Sequence, residues 1–354
     1  MKKAIAILSV LAVVAFAGEV VTGGSEMLKF KGYGTFRWDM NGMEDANPGN
    51  DMSTYSYISW MPKLNDYVDG YIAVKMMTPS PSFSLDCAYL NLHFTENFTL
   101  TGGQFKKPFG YAFTRSGGSM YFADRAGILY TSEATEMLPA LGFDMFGGYD
   151  NSAMLTAEFA PVTVDLALSN GTGTADANDE VNKKQFTARL VAEPTEWLEL
   201  GGAMAMVGLG DNDATEEVDE SWGATGMDFY GVVNYPVSPT GELVFVGEYM
   251  MWNAPDIYED AEAGNGMSVM LGYDMDLEGD VFMGIMPAVR YDMVTPVDAM
   301  GGAEDTGMNN IDFCLNIDLF SEMNTLQLGM RNYGAEAEGF EGYTDMYAKW
   351  RMNF

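Results

Sequence analysis

Hydrophobic and polar residues alternate with a period of two along most of this chain. The C-terminal segment carries Met346, Ala348, Trp350, Met352 and Phe354 on one face, and Asp345, Tyr347, Lys349, Arg351 and Asn353 on the other. Similar segments occur at 28–40, 186–193, 267–274, 281–293, 311–319 and 326–331. Successive side chains of a β-strand point to opposite faces. The pattern therefore predicts many strands, each with one apolar face and one polar face.

The connections between these segments alternate between tight turns and long polar stretches. The tight ones are 63–66, 95–97, 194–196, 236–239, 276–279 and 321–323, and the long ones are 41–52, 106–141, 171–183, 210–223, 253–264 and 296–308. A soluble β-sandwich also alternates apolar and polar residues. Short turns on one side, long loops on the other and strands of about ten residues are typical of outer-membrane barrels. We therefore predict an all-β fold, a transmembrane antiparallel β-barrel.

The number of tight turns predicts about sixteen strands, and such barrels usually have an even number. The stretch 142–159 fits either one bent strand or two short ones. We interpret it as one strand, followed by a turn at Ala160-Pro161, because this interpretation keeps short and long connections in alternation.

The N-terminus has the features of a secretory signal peptide. Two lysines precede an apolar run at 4–14, and Ala15-Phe16-Ala17 ends the segment. The run is shorter than the about 20 residues that a membrane-spanning helix needs. We predict a signal peptide at 1–17 and a single barrel domain at 18–354 in the outer membrane. A short N-terminal anchor helix is the alternative.

Charge and rare residues exclude several classes of function. The chain has 51 acidic and 18 basic residues, a net charge of −33, which argues against nucleic acid as a partner. His93 is the only histidine, which excludes most catalytic sites built on serine–histidine or cysteine–histidine pairs and most histidine–metal sites. Cys87 and Cys314 do not make a disulfide framework. We expect no catalytic residue, no metal and no cofactor, and we interpret the acidic clusters at 211–220 and 259–262 as solvated loops.

Several motifs resemble one family. The segment Gly103-Gln104-Phe105-Lys106-Lys107-Pro108-Phe109-Gly110 is similar to the "G-x-F-K-x-P-F-G" motif of the phosphate-selective porins O and P. Leu85-Asp86-Cys87-Ala88-Tyr89 resembles the family's "L-x-D-A-Y" strand, with Cys87 standing between the Asp and the Ala. Weaker similarities occur at 169–173, 186–194 and 287–292. The resemblance implies a homotrimeric passive channel in which the loop after the first motif folds into the pore.

The candidate functional residues are basic. The long segment 106–141 would be the constriction loop, and its cations are Lys106, Lys107, Arg115 and Arg125. Cations predicted on the inner wall are Lys29, Lys31, Arg37, Arg189, Arg290, Arg331, Lys349 and Arg351. Rings of lysine or arginine favour anions, but these side chains could instead pair with acids or hold the loop against the wall. Acidic wall residues and acidic loops leave the ion preference open.

Three functional hypotheses follow from these patterns. The first is a porin for passive diffusion of small hydrophilic solutes and ions, with phosphate-like anions among them, surrounded by outer-membrane lipid and lipopolysaccharide. The second is a non-conducting structural or adhesive surface barrel with acidic extracellular loops. The third is an outer-membrane enzyme, which would depend on His93 as its base.

Overall fold

The computed structural model describes residues 28–40, 50–78, 82–116, 119–123, 146–171, 184–208, 224–253, 264–295, 308–321, 323–335 and 343–354. Sixteen strands occupy most of these ranges. They are β1 (Leu28–Met40), β2 (Asn50–Pro62), β3 (Val68–Thr78), β4 (Ser82–His93), β5 (Phe98–Lys106), β6 (Tyr149–Phe159), β7 (Val162–Ser169), β8 (Gln185–Thr195), β9 (Leu198–Val207), β10 (Ala224–Ser238), β11 (Gly241–Asn253), β12 (Gly264–Asp276), β13 (Phe282–Thr295), β14 (Met308–Leu319), β15 (Asn324–Ala335) and β16 (Tyr343–Asn353). A helix of one turn, α1 (Tyr111–Thr114), follows β5. Within the described ranges, no helix has the length and apolar character to cross a membrane.

The strands form one closed antiparallel barrel. Each strand pairs with its neighbours in sequence, and β1 pairs with β16 from Tyr33 opposite Asn353 to Met40 opposite Met346. Closure leaves no unpaired strand edge, which is the condition for a β-structure to span lipid. The predicted fold and strand number are confirmed. In the described part of the stretch that allowed two interpretations, 146–159, there is one strand, β6, which begins at Tyr149.

The two faces of the barrel wall differ as the alternation predicts. On β16, Met346 and Trp350 are 47% and 40% exposed, whereas Lys349 and Arg351 are each 9% exposed. Large apolar side chains are exposed on strands all around the barrel, and the charged side chains of the same strands point inward. An apolar outer surface of this extent is stable in lipid rather than in water.

The connections follow the predicted alternation with one exception. Short turns join β2 to β3, β4 to β5, β6 to β7, β8 to β9, β10 to β11, β12 to β13 and β14 to β15 at one end of the barrel. At the other end, β3 and β4 are joined by only three residues, 79–81, where the other connections are longer. The pairing of these two strands already begins at Met77 opposite Ser82, so the hairpin needs no longer connection.

A β-bulge explains the unusual position of Cys87. Val74 lies opposite Leu85 and Ala73 lies opposite Cys87, so Asp86 is an extra residue on β4. A bulge of this kind turns two consecutive side chains toward the same region. As a result both Asp86 and Cys87 are buried on the lumen side, and the Lys75 ammonium lies 3.3 Å from the Asp86 carboxylate.

Several sequence predictions concern residues outside the described ranges. They are the signal peptide at 1–17, Arg125, and the acidic clusters at 211–220 and 259–262.

Candidate functional site

The chain leaves β5 and folds back into the barrel. We call residues 107–116 and 119–123 the inward segment. Lys107 Nζ donates a hydrogen bond to Gln185 Oε1 at 2.8 Å, and Gln327 Nε2 donates one to the Met120 carbonyl at 3.1 Å. Gln185 is on β8 and Gln327 is on β15, and both face the lumen and are fully buried. The inward segment therefore lies inside the barrel and contacts the wall at β8 and at β15.

The residues of the "G-x-F-K-x-P-F-G" segment direct the chain into the lumen. Gly103 has a φ of 136°, and a Cβ there would lie 2.3 Å from the Ala88 carbonyl oxygen. Gly110 has a φ of 78° and turns the chain into α1. Both backbone conformations favour glycine. Between them, Phe109 is buried against the wall, so this motif has a structural role in positioning the segment.

A buried carboxylate holds the start of α1. Glu248 on β11 accepts hydrogen bonds from the backbone N–H groups of Tyr111, at 2.6 Å, and Ala112, at 3.4 Å. The carboxyl group of Asp228, on β10, interacts with the Glu248 carboxyl group and is also fully buried. Glu248 thus satisfies donors that the first turn of a helix leaves without intrahelical partners.

Two apolar clusters inside the barrel fix the inward segment against one side of the wall. The first is built from Phe109, Phe113, Phe146, Ala203, Ala205, Val207, Ala224, Met250 and Trp252. The second is built from Phe122, Ala123, Tyr230, Val232, Val244, Val246, Met270, Met286, Ala288, Cys314 and Tyr347. The wall residues of both clusters come mainly from β9 to β16, so the inward segment packs on that side.

Cations of the wall hold the far end of the inward segment. Arg351 Nη1 donates to the Met120 carbonyl at 2.6 Å, and Lys349 Nζ donates to the Ala123 carbonyl at 2.8 Å. The Arg290 guanidinium lies 4.5 Å from the centre of the Phe122 ring, within cation–π range. Burial raises the pKa of Tyr121 to about 12, so its hydroxyl is neutral at physiological pH.

A buried ionic network joins β13, β14 and β15 beside this contact. The Asp312 carboxylate accepts hydrogen bonds from Arg290 and, at 2.6 Å, from Arg331. Arg290 Nε also donates to Asp292 at 3.0 Å. All four side chains are buried, where an unpaired charge would be costly. The network neutralises these charges locally and orders the wall beneath the segment.

The four predicted constriction cations occupy different environments. Lys107 is fully buried on Gln185. Lys106 Nζ donates to the Arg115 carbonyl at 2.9 Å, and Arg115 forms an ion pair with Glu199 at 2.5 Å. Arg115 is the most accessible of the three described, with its side chain 44% exposed. Arg125 lies outside the described ranges.

Half of the eight predicted wall cations are engaged with acids. Arg37 pairs with Asp39 and Arg189 pairs with Asp165, both at 2.7 Å. Arg290 and Arg331 belong to the Asp312 network, and Lys349 and Arg351 bond the inward segment, as described above. Lys29 and Lys31 are exposed near the start of β1, at the short-turn end of the barrel.

His93 connects three strands of the wall. Its Nε2 lies 2.8 Å from Asp69 Oδ2 on β3, and its Nδ1 lies 2.9 Å from Thr99 Oγ1 on β5. Within the described residues, no group of three or more histidine, cysteine and acidic side chains could hold a metal ion.

Two further groups of lumen-facing residues were not predicted as sites. The acidic row consists of Glu242, Asp274, Asp276 and Asp318. Glu242 lies directly opposite Asp274, which interacts electrostatically with the other three. The tyrosine row consists of Tyr33, Tyr55, Tyr57, Tyr71 and Tyr89. The alternation of single strands predicts Asp274 and Asp318 on the inner wall, but only the pairing of the strands brings the members of each row together.

A closed sixteen-stranded barrel with an apolar outer face and a polar lumen defines an outer-membrane porin. The family model described as "Phosphate-selective porin O and P" matches residues 62–243, more than half of the sequence, and the chain belongs to this family. The protein is therefore a channel of the outer membrane through which small hydrophilic solutes and ions diffuse passively.

Solved structures share the fold at low identity. Pseudomonas putida OprB is 7% identical, with a TM-score of 0.66 over 93% of this chain and 94% of that one. An anion-selective porin from Comamonas acidovorans is 12% identical, with a TM-score of 0.57 over 92% and 99%. The trimer form of Vibrio cholerae OmpT is 11% identical, with a TM-score of 0.58 over 93% and 100%. A search of curated protein sequences found no match.

Proposed function

We propose that the inward segment forms the constriction of this porin and that the passage prefers cations to anions. The supporting observation is that the basic side chains around the segment already have partners within the protein. The candidate cations around the segment are engaged with carboxylates, backbone carbonyls or an amide, so they hold the segment in place. Arg115, the most accessible of those described in the segment, has its charge offset by Glu199.

The acidic row supplies the opposite field. Its four residues face the lumen on β11, β12 and β14 near the short-turn end, and Glu242 and Asp274 are directly opposed. Like charges in that position are unfavourable for the sheet. Carboxylates facing a channel attract cations and repel anions. The acidic row therefore favours cation entry, in agreement with the net charge of −33.

The reversal potential in a potassium chloride gradient across a planar bilayer tests this proposal. We expect a sign that corresponds to cation preference for the wild type. The double variant Glu242→Gln and Asp274→Asn should shift the reversal potential toward zero, because it removes two negative charges without changing side-chain size. Raised ionic strength should weaken the preference, since salt screens accessible charges.

The matched control is Asp66→Asn, which removes an acid from the exposed Lys63–Asp66 pair at a turn. We expect its reversal potential to equal that of the wild type. Anion preference in the wild type would contradict the proposal and would favour the second candidate, passage of phosphate-like anions, which the family description supports. Unchanged selectivity in the double variant would exclude the acidic row as the cause.

We further propose a homotrimer exported by a cleaved signal peptide at 1–17, with one barrel domain at 18–354. The trimer form of the OmpT structure supports the assembly. The apolar outer face would contact outer-membrane lipid and lipopolysaccharide. A role in transport without catalysis fits the family and the position of His93, which joins strands through Asp69 and Thr99. The alternative is a non-conducting adhesive barrel. Ion current across the planar bilayer would exclude this alternative, and absence of current from the folded protein would support it.

A further inference from the structure

The tyrosine row forms an arc of aromatic rings across β1 to β4. Tyr33 and Tyr57 are directly opposed, with ring centroids 5.4 Å apart, and Tyr33 and Tyr55 are 5.6 Å apart. Tyr71 and Tyr89 are also directly opposed, with centroids 5.3 Å apart. The hydroxyls of Tyr57 and Tyr71 lie 3.1 Å from each other and connect the two halves.

The geometry of the rings decides what the arc presents to the lumen. Interplanar angles of 15° to 24° mean that neighbouring rings lie face to face with one another. Their faces are thus partly occupied by other rings, whereas edges and hydroxyls are left to the passage. All five side chains are only half-buried on the lumen side of the wall.

The arc lies at the height of the inward segment. It begins at Tyr33, which is within electrostatic range of Arg351. The same guanidinium donates to the Met120 carbonyl of the inward segment. The apolar clusters place that segment on the β9 to β16 side, whereas the tyrosines belong to β1 to β4. A solute that passes the proposed constriction would therefore meet the arc on the wall.

We propose that the tyrosine row is a binding site for neutral polyhydroxylated solutes, such as short sugars, on their way through the channel. This inference rests on the proposed function of the inward segment as the constriction. Tyrosine hydroxyls both donate and accept hydrogen bonds, as sugar hydroxyls do. The ring edges add apolar contact beside this row of polar groups, a combination typical of sites that bind small molecules.

Charged solutes fit the arc less well. Tyrosine hydroxyls are neutral at physiological pH, so they offer an anion no balancing charge. Two basic side chains near the row are already engaged, Lys75 with Asp86 and Arg351 with the Met120 carbonyl. A neutral solute that exchanges its hydrogen bonds with water for bonds to the row loses little on entry.

Interruption of the ion current by maltotriose tests the proposal. Maltotriose is added to wild-type channels in a planar bilayer, and the concentration that halves the current is measured. We expect block of the wild type. The double variant Tyr57→Phe and Tyr71→Phe keeps both rings and removes two hydroxyls. We expect its block to need an at least about fourfold higher concentration, since each lost hydrogen bond weakens binding about two- to tenfold.

The control is the double variant Tyr235→Phe and Tyr249→Phe, which removes two hydroxyls from the outer face, where these side chains are 48% and 39% exposed. It should be blocked as the wild type is. A conducting wild type that maltotriose does not block, or equal block in the Tyr57→Phe and Tyr71→Phe variant, overturns the binding site and leaves the proposed constriction intact. A sugar block that disappears in the outer-face control also overturns it. Absence of conductance in the folded wild type overturns both proposals.

Discussion

At the scale of single residues, Glu248 links the wall to the start of the inward segment. Its carboxylate accepts two backbone N–H groups at the start of α1, where no intrahelical acceptor exists. The side chain is 3% exposed, so water cannot replace it without a rearrangement. Loss of a buried acceptor leaves its donors unsatisfied, at a cost of about 1–3 kcal/mol.

We therefore expect Glu248→Ala to release the start of the inward segment. Single-channel recordings should show a larger and noisier conductance than in the wild type. Glu248→Gln is the matched control, because its amide carbonyl can still accept from Tyr111, and its conductance should stay close to that of the wild type. Equal conductance and noise in Glu248→Ala and the wild type would show that the segment is held by other contacts.

The type of a residue could be read from the sequence, but its partner could not. Lys107 and Arg115 are both basic residues of the predicted constriction loop. In the structure Lys107 is buried on Gln185, whereas Arg115 is partly exposed and pairs with Glu199. Gln185 and Glu199 are more than sixty residues away. Which cation reaches water therefore depends on contacts that no local pattern contains.

At the scale of strands, glycine and aromatic residues on neighbouring strands are packed together inside the barrel. Gly329 lies directly opposite Tyr347, and a Cβ on the glycine would lie 2.1 Å from the tyrosine ring. Gly201 and Tyr230 repeat this arrangement on β9 and β10. The tyrosine ring covers the glycine backbone. Each pair therefore requires glycine, because any side chain at that position would collide with the ring.

Gly329→Ala should consequently destabilise the barrel. The added methyl group displaces the Tyr347 ring from the buried cluster that also holds Phe122, and overpacking of this kind costs about 1–3 kcal/mol. The free energy of unfolding, measured by urea titration in detergent micelles, should fall by that amount. Gly102→Ala is the control, because a Cβ there meets no atom within 4 Å. Equal stability of the two variants would contradict the role of the pair.

The strands themselves were largely predictable, because the alternation of apolar and polar residues is visible within each strand. A strand with one face in lipid and one toward the lumen must alternate, so β16 could be identified from the alternation of apolar and polar residues along 345–354. The bulge at Asp86 and the three-residue connection at 79–81 were not predicted. Both depend on the register between β3 and β4, which two separate strand patterns do not determine.

At the scale of the whole molecule, the barrel separates the apolar and the polar side chains, which alternate along the sequence, onto an outer and an inner face. Apolar side chains face outward, and acids, bases and tyrosines face the lumen. The described part of the inward segment packs on β9 to β16, whereas the tyrosine row lies on β1 to β4. Packing of the segment on one side makes the proposed passage eccentric, and the acidic row on β11, β12 and β14 supplies its proposed cation preference.

The single-channel conductance of the purified, folded protein in a planar lipid bilayer tests this account most directly. An open lumen beside the inward segment predicts discrete current steps that are linear in voltage and rise with the conductivity of the salt solution. Folding is checked in the same sample by the heat-dependent change in gel mobility that closed barrels show. Folded protein that inserts into the bilayer and carries no current would contradict the account.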